Sequence, residues 1–314
     1  MTLEAKPPAD VVVDASVVRA LLHEQHPDLA SLPLIDTDAG WDNQLFRLGD
    51  ALAVRLPRRA AAAHLISHEQ RWLPVLAPRL PLPTPVPVRT GRPGCGFPWT
   101  WSLVPWLDGQ TAAAVPPSDA AATAVQLGEF LRALHQVAAD DAPPNAWRGV
   151  PLANRTPAVL EHIARLGDRV DGARIQTLWA ELVRTPRWPG PPLWLHGDLH
   201  PGNLLVSYGR LSGVLDFGDL TAGDPATDLS VAWMVLPASA RPAFRAAARG
   251  PQEPIDDHTW RRGRGWALTL GLAYFANSQD DPTLEAVGRA TIRAVLNDDS
   301  TSGTARTALR EQNG

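Results

Sequence analysis

A proline-rich segment is the feature that most restricts how this chain can fold. Residues 78–98 include seven prolines. Proline lacks a backbone N–H, and its ring clashes with the preceding helical turn, so such a segment is incompatible with a helix interior. The sequence therefore predicts a mostly extended stretch here, with little room for helix.

The chain on either side of this segment has the pattern of strands with one helix. Two apolar runs, 43–48 and 51–56, are joined by a Gly-Asp pair, which is typical of a two-residue β-hairpin turn. Apolar residues at helical spacing predict a helix over 58–73, and Pro74 is predicted to begin a further turn. Residues 101–106 are predicted to form another strand.

Beyond residue 108 the pattern becomes mostly helical. Apolar residues recur at helical spacing in 119–138, 226–236 and 259–277, among other segments. We therefore predict an α+β protein with a small strand-rich lobe at 1–108 and a larger helical lobe at 109–314. A ligand is expected in the cleft between the two lobes.

Composition narrows the class of protein. The 314 residues suffice for about two domains or two lobes. The net charge of −4 argues against nucleic-acid binding by bulk electrostatics, and a single cysteine excludes an internal disulfide framework. No apolar stretch approaches membrane-spanning length, and the first residues lack the apolar core of a signal peptide, so we expect a cytoplasmic protein without a membrane partner. Lys6 is the only lysine.

Two polar motifs lie between short apolar runs in the second lobe. The sequence HGDLHPGN occupies residues 196–203, and LDFGD follows at 215–219. Asp216 and Asn203 offer the oxygen ligands that Mg²⁺ shares with substrate phosphates. Asp198, on the same loop as Asn203, can orient a hydroxyl group and accept its proton. These three side chains are the working set of a phosphoryl-transfer site.

The two motifs, in this order and at this separation, resemble those of the aminoglycoside phosphotransferase and choline kinase-like family, small-molecule relatives of the protein kinases. The resemblance extends from the hairpin to the C-terminal helices. It implies a bilobal protein-kinase-like fold and a phosphotransferase that uses ATP or GTP with Mg²⁺. It makes Asp198 the catalytic base and Asn203 and Asp216 the metal ligands.

Two further residues gain supporting roles from the resemblance. His196 matches the residue that braces the catalytic loop, and Asp228 matches the acidic residue that anchors this loop. The alternative role for Asp228 is purely structural, because a carboxylate is also favoured near the start of a helix. His200 lies within the first motif, and we predict that it supports the loop and takes no part in the chemical step.

Arg55 is the candidate cation for the nucleotide phosphates. Kinases place a lysine on the third strand and pair it with a helix glutamate. Here Arg55 takes that place, and Glu69 follows fourteen residues later on the predicted helix. Arginine forks onto phosphate whereas lysine acts as a point charge, so the geometry must differ. The alternative is an exposed strand-end arginine that pairs with a surface glutamate.

Two other segments are candidates for nucleotide contacts by their position in the family pattern. The residues Gly40, Trp41 and Asn43 lie where the family has its phosphate-covering loop, although a single glycine makes this a weak signal. At the joint between the lobes, the Pro105 carbonyl can accept and the Leu107 N–H can donate a hydrogen bond to a purine edge. Strand-end packing is the alternative for these hinge residues.

We expect the acceptor to be a small hydroxylated molecule, and an aminoglycoside-like antibiotic is our first hypothesis. A cationic acceptor would bind to acidic residues. The alternative is that these acidic residues are ordinary solvated charges on the surface. Trp260 could line a sugar-binding face or pack the lobe. The candidate substrate residues are Asp219, Asp256, Asp257, Asp280 and Trp260.

Three other functions remain open at this stage. The chain could phosphorylate another small metabolite, such as a sugar or an amino alcohol. It could be a nucleotide-binding pseudokinase with a regulatory role, which the replacement of lysine by Arg55 favours and the intact Asp198, Asn203 and Asp216 oppose. It could also be a metal-dependent hydrolase that uses the same carboxylates. No part of the sequence specifies an oligomeric state.

Overall fold

The computed structural model of the protein describes residues 8–37, 40–248 and 255–298. Lys6 and the polar tail from residue 300 lie outside these ranges. An antiparallel sheet occupies the first part of the described chain, and helices dominate the second part. The structure thus confirms the predicted α+β class.

The first lobe is a five-stranded antiparallel sheet with two helices. The strands are β1 (Leu34–Asp36), β2 (Asn43–Leu48), β3 (Leu52–Pro57), β4 (Arg89–Gly91) and β5 (Trp101–Pro105), and the helices are α1 (Ala15–Gln25) and α2 (Ala60–Leu76). The spatial order is β1-β2-β3-β5-β4, so β4, which the proline-rich segment supplies, lies at an edge. An edge is where a sheet tolerates neighbouring prolines. Buried residues of α1, β2, β3 and β5 form the core of this lobe.

Two local predictions in this lobe were wrong in detail. Leu48 pairs directly with Leu52, so the hairpin loop has three residues and not two. Helix α2 continues through Pro74 to Leu76 instead of ending before the proline. Proline removes only one hydrogen bond near the end of this helix, and the final turn buries Leu73 and Leu76 in the core of the second lobe.

The second lobe is built around one long buried helix. The helices are α3 (Ala120–Leu134), α4 (Thr156–Leu166), α5 (Gly172–Leu182), α6 (Ala226–Leu229), α7 (Val231–Val235), α8 (Arg241–Ala247), α9 (Asp257–Asn277) and α10 (Pro282–Leu296). Helix α9 is buried over most of its length and packs against α4, α6 and α10. The helix predicted over 226–236 is two short helices, because the chain tightens at Ser230, whose N–H donates to Thr227 O. Within the ranges described above, no helix is both long and apolar enough to cross a membrane.

Two small sheets in the second lobe carry the polar motifs. Their strands are β6 (Gln110–Thr111), β7 (Leu193–Leu195), β8 (Leu204–Ser207), β9 (Arg210–Val214) and β10 (Thr221–Gly223). Strands β6, β8 and β9 form one antiparallel sheet, and β7 pairs with β10 in the other. The first motif connects β7 to β8, and the second connects β9 to β10. Both motifs therefore begin and end at paired strands, which fixes their backbones.

The two lobes contact each other along the proline-rich segment and α2. The Val214 N–H donates to the carbonyl of Pro83 at 2.9 Å. The ring centroids of Trp72 and Trp194 lie 4.8 Å apart. The sheet of the first lobe ends at Pro105, and the next strand, β6, already pairs with β8 of the second lobe.

Candidate active site

The loop that carries Asp198 is anchored by a buried carboxylate. Asp228 accepts hydrogen bonds from the backbone N–H groups of His196 at 2.8 Å and Gly197 at 2.9 Å. His135 Nε2 lies 3.1 Å from the same carboxylate. Burial alone would raise the pKa of Asp228, but the hydrogen bond and charge of His135 and the backbone donors hold it below its ordinary value. The structure therefore gives Asp228 a contact with the loop in addition to its place in α6.

Gly197 allows this loop to pass under the second motif. Its backbone has a φ of +86°, and a Cβ at this position would lie 2.4 Å from Asp219 O. Both the conformation and the space require glycine. The neighbouring His196 ties the two motifs together, because its Nδ1 accepts from the Asp198 N–H and its Nε2 lies 2.9 Å from Leu215 O. With Nδ1 as acceptor, Nε2 carries the proton and donates to Leu215 O.

The carboxylate of Asp198 has one occupied oxygen and one open oxygen. Oδ1 is 2.8 Å from Arg148 NH2 and accepts from the Tyr274 hydroxyl at 2.9 Å. Oδ2 lies 3.6 Å from His200 Nε2, too far for a hydrogen bond. Burial would raise the pKa of Asp198, but Arg148, His200 and Tyr274 outweigh it and lower that pKa. The group is therefore ionised at neutral pH, with Oδ2 available to accept a proton.

Arg148 is shared between Asp198 and Asp219. Its NH2 lies 3.4 Å from Asp219 Oδ2, and Asn145 Nδ2 donates to Asp219 Oδ1 at 2.7 Å. Burial raises the pKa of Asp219, and the negative charge of Asp198 raises it further, against the opposing effect of Arg148. The structure thus brings the predicted substrate residue Asp219 next to the predicted base.

Asn203 and Asp216 provide oxygen atoms suited to Mg²⁺. Asn203 Nδ2 donates to Asp198 O at 3.0 Å, which leaves its Oδ1 to face a ligand. Asp216 adopts a φ of +56° and keeps its side chain half exposed, and its Oδ1 accepts from Gly218 N–H at 3.3 Å. A carboxylate and an amide oxygen are hard donors, and Mg²⁺ typically takes one or two such ligands together with water and phosphate oxygens. The donor set therefore fits this ion.

Arg55 is buried and bonded on several sides. Its NH1 donates to both oxygens of Glu69 at 2.6 and 2.7 Å, and its NH2 donates to Asp216 Oδ1 at 2.6 Å. In the amide orientation that satisfies both groups, Asn43 Oδ1 accepts from Arg55 NH2 and Nε at 3.0 and 3.2 Å. The structure brings Arg55 and Glu69 together in the interior, and not as an exposed pair. It also links the first lobe directly to Asp216 in the second.

The other candidate nucleotide contacts lie at the edge of the first lobe. The turn before β2 is closed by the Gly40 N–H, which donates to Asn43 O at 2.8 Å, and Trp41 is 46% exposed. At the joint, the Trp106 N–H donates to Ala51 O at 2.8 Å. The neighbouring Pro105 carbonyl and Leu107 N–H stay the predicted purine contacts at the hinge.

The structure gives three of the predicted substrate residues other contacts, away from Asp198. Trp260 is buried in the core, where its ring lies 4.6 Å from that of Trp233. Asp256 caps α9 by accepting from the Thr259 N–H, and Asp257 pairs with Arg245. Tyr274 marks the other end of α9, about 26 Å away along seventeen residues of helix, so this acidic pair lies far from Asp198. Asp280 follows the end of α9 that holds Tyr274 and stays a prediction.

Four residues around the site were missed by the sequence analysis. They are Asn145 and Arg148 on the loop before α4, Tyr274 on α9, and His135 at the end of α3. None belongs to a motif, and Arg148 and Tyr274 lie 50 and 76 residues from the carboxylate that they contact. A single sequence carries no spacing signal for such contacts.

Two curated relatives, both aminoglycoside 3'-phosphotransferases, match part of the chain. The protein from Streptomyces fradiae is 30% identical over 169 residues, which are 52% of this chain and 63% of that relative. A protein from Escherichia coli is 28% identical over 142 residues, which are 43% of this chain and 52% of that relative. The chain therefore matches less than two thirds of the length of either relative.

Solved structures match over nearly the whole chain. The GDP complex of an aminoglycoside 2'-phosphotransferase has a TM-score of 0.64 at 20% identity and covers 91% of this chain and 99% of its own. A macrolide 2'-phosphotransferase from Brachybacterium faecium has a TM-score of 0.60 at 24% identity and covers 89% and 98%. At this identity the likeness establishes the fold, which is that of the kinase-like phosphotransferases.

A family model gives the assignment that the motifs predict. The model of the phosphotransferase enzyme family matches residues 36–266, which is more than half of the chain. This range includes Arg55, Glu69 and both polar motifs, and it extends into α9. The sequence resemblance is thereby confirmed, and the chain belongs to the phosphotransferase enzyme family.

Proposed function

We propose that this protein is a nucleotide-dependent O-phosphotransferase that transfers the γ-phosphoryl group of ATP or GTP to a hydroxyl group of a small molecule. The observation that carries this proposal is the link made by His196. Its imidazole joins the loop of Asp198 to the residue that precedes Asp216. A base and the metal ligands are therefore held in one rigid unit beside the interlobe cleft, as transfer by positioning requires.

The chain's own residues can perform each part of the transfer. Asp198 Oδ2 accepts a hydrogen bond from the acceptor hydroxyl and takes its proton as the hydroxyl oxygen bonds to the γ-phosphorus. The bond from the γ-phosphorus to the bridging oxygen breaks, and the nucleoside diphosphate leaves. Arg55, together with Glu69, orients the nucleotide phosphates. Pro105 and Leu107 position the purine at the hinge.

Asn203 and Asp216 would hold Mg²⁺ in this reaction. A magnesium ion there would neutralise the charge that develops on the phosphate oxygens. Arg55 donates a hydrogen bond to Asp216 in the structure. When the nucleotide binds, Arg55 therefore replaces part of its bonding to this carboxylate with hydrogen bonds to phosphate oxygens. Both partners are compatible with a planar guanidinium fork.

The relatives and the site favour different acceptors. The names of the relatives make aminoglycosides the first acceptor class to test. Of the acidic residues expected to receive their amines, Asp219 lies near Asp198 but shares Arg148 with it, and Asp256 and Asp257 lie at the far end of α9. This observation favours the second candidate, a kinase of another small hydroxylated metabolite.

A paired assay tests the proposed function. Purified protein is incubated with Mg²⁺ and ATP or GTP against panels of aminoglycosides, sugars, amino alcohols and hydroxy acids. We expect an acceptor to gain the mass of one phosphoryl group while one equivalent of nucleoside diphosphate forms. Release of inorganic phosphate without a modified acceptor would indicate a hydrolase. Nucleotide binding without turnover against every panel would indicate a pseudokinase.

Replacing Arg55 by Gln is expected to weaken the binding of Mg²⁺-ATP by at least about tenfold, because charge-assisted hydrogen bonds to phosphate are lost. Arg55→Lys is expected to restore part of this affinity, since it keeps the charge but not the fork. Titration of a fluorescent ATP analogue measures both dissociation constants. Arg89→Gln, on the exposed edge strand β4, is the control and keeps wild-type affinity. Unchanged affinity in Arg55→Gln would remove Arg55 from the nucleotide site.

A further inference from the structure

The loop between α3 and α4 is fixed against the active site at several points. Asn145 Oδ1 accepts from the N–H groups of Trp147 and Arg148 at 2.8 and 3.1 Å, while its amide group donates to Asp219. The next residue, Gly149, donates its N–H to Thr227 Oγ1 at 3.1 Å. The backbone of residues 147–149 is therefore held by side-chain acceptors, and this fixes where the Arg148 side chain begins.

This loop also contacts the segment behind the second motif. The Asp224 N–H donates to Gly149 O at 3.0 Å, and a Cβ on Gly223 would lie 2.3 Å from the same oxygen. Gly149 itself has a φ of +69°. A close backbone approach of this kind leaves no room for a side chain, so the loop is preorganised before any ligand binds.

Arg155, at the end of the same loop, is a buried cation with no carboxylate partner among the described residues. The residue is 8% exposed, and the guanidinium carbon lies 5.3 Å from the ring centroid of Trp147. Across the described residues, Arg155 makes no ion pair or hydrogen bond through its side chain, and its Nε is fully buried. Burial lowers the pKa of Arg155, and the nearby positive charge of Arg148 lowers it further. Proteins rarely bury a charge without compensation.

Further unsatisfied polar atoms lie along the same stretch. In the described part of the chain, Arg148 Nε and His162 Nδ1 are buried and have no hydrogen-bond partner. Burial lowers the pKa of His162, and Arg165 and Arg155 contribute to this shift. The nearby acids Asp198 and Asp219 already share Arg148. Within the described residues, neither Asp198 nor Asp219 pairs with Arg155, so an anionic ligand group could still pair with its guanidinium.

We propose that Arg148 and Arg155 form an anion-binding subsite on the acceptor side of Asp198, and that the phosphorylated molecule carries a carboxylate or phosphate group near its reacting hydroxyl. This inference rests on the proposed function and names the substrate class. Guanidinium forks match the geometry of both anionic groups. An anion that engages Arg148 loosens its contact with Asp198 Oδ1, which leaves the carboxylate free to orient the hydroxyl. The positive charge of Arg155, which has no carboxylate partner in the described residues, would oppose the ammonium groups of a polycationic acceptor here.

Four sugars with the same ring test the subsite without any need for turnover. Glucose, glucosamine, glucuronate and glucose 6-phosphate are titrated into protein saturated with ADP, which keeps anions out of the nucleotide site. We expect glucuronate, glucose 6-phosphate or both to bind at least about tenfold more tightly than glucose, and glucosamine to bind no more tightly than glucose. The glucuronate and phosphate arms distinguish the two anionic groups. Equal or undetectable binding of the anionic and neutral sugars would overturn the proposal.

Variants of Arg155 connect this preference to the subsite. Arg155→Gln is expected to bind the anionic sugars no better than glucose, and Arg155→Lys to keep part of the preference. Because Arg155 is an unpaired buried cation, its replacement by Gln should not lower the melting temperature, whereas a purely structural arginine would. Arg169→Gln, on the surface of the second lobe, serves as the control. A full preference in Arg155→Gln would contradict the assignment.

The same preparations separate this proposal from the proposed function. Binding of ADP and Mg²⁺-dependent turnover are measured for the wild type and each variant. If the wild type shows neither ADP binding nor turnover, the proposed phosphotransferase function is wrong. Normal ADP binding together with no anion preference would defeat the subsite alone.

Discussion

Replacing Asp198 by Asn is expected to reduce phosphoryl transfer by about 10²–10⁴-fold, because the variant retains the shape of the carboxylate but cannot take the hydroxyl proton. The amide oxygen can still accept from Tyr274 and face Arg148, so the loop should keep its conformation. Nucleotide affinity should stay close to that of the wild type, since the contacts assigned to the nucleotide lie on Arg55 and the hinge. Transfer rates and the dissociation constant of an ATP analogue measure the two effects separately.

Asp257→Asn is the matched control for this variant. It makes the same chemical change to a carboxylate at the far end of α9, where Asp257 pairs with Arg245. Its transfer rate should equal that of the wild type, which would also support the removal of Asp257 from the acceptor site. Transfer by Asp198→Asn within tenfold of the wild-type rate would exclude Asp198 as the general base.

Replacing Asp228 by Ala is expected to lower the free energy of unfolding by about 3–5 kcal/mol, because it leaves buried partners of the carboxylate without an acceptor. These partners are the N–H groups of His196 and Gly197 and the imidazole of His135. The loss of these contacts should also release the loop that positions Asp198. Denaturant unfolding gives the stability change, and transfer rates under folding conditions give the effect on positioning.

A second buried carboxylate separates the two effects of Asp228→Ala. Asp224 is ion-paired with Arg262 at 2.7 Å, and Asp224→Ala should lose stability of the same order. It leaves the contacts of Asp228 with the loop intact, so it should retain much more transfer activity while folded. Equal losses of transfer activity in the two variants would show that Asp228 acts only through stability and does not position the loop of Asp198. A stability change below 1 kcal/mol in Asp228→Ala would contradict the buried acceptor assigned here.

Asp228 also gives the folded state a defined response to acid. Its pKa in the folded protein lies below the ordinary value of 3.8. A group with a lowered pKa stabilises the fold fully above its unfolded pKa and loses this contribution as the pH falls through the folded pKa. The difference in stability between the wild type and Asp228→Ala should therefore shrink as the pH falls below 3.8.

The motif residues could be predicted because the chain keeps them close together in sequence. Asp198 and Asn203 share one loop, and Asp216 follows after a single β-hairpin. Arg55 and Glu69 were also within reach, because a strand and the helix that follows it are adjacent in space. Their burial, and the bond from Arg55 to Asp216, depend on how the two lobes pack and have no signature in the sequence.

The acceptor side could not be predicted, for the same physical reason. Arg148 and Tyr274 meet Asp198 only through the packing of the second lobe around α9. Charge and aromatic content were misleading there: Asp256 proved to be a helix cap, and Trp260 a core residue. Carboxylates at helix starts and tryptophans in cores are the common outcomes of these patterns.

The buried guanidinium of Arg55 has a consequence for chemical labelling of this protein. Reagents that deliver an acyl group from a nucleotide to a nearby amine need an unprotonated, nucleophilic nitrogen. The cation assigned to the nucleotide phosphates is an arginine, whose charge persists across the accessible pH range. The one lysine of the chain, Lys6, lies outside the described residues. Amine-directed nucleotide reagents should therefore leave Arg55 unmodified, whereas dicarbonyl reagents, which condense with guanidinium groups, are the appropriate choice.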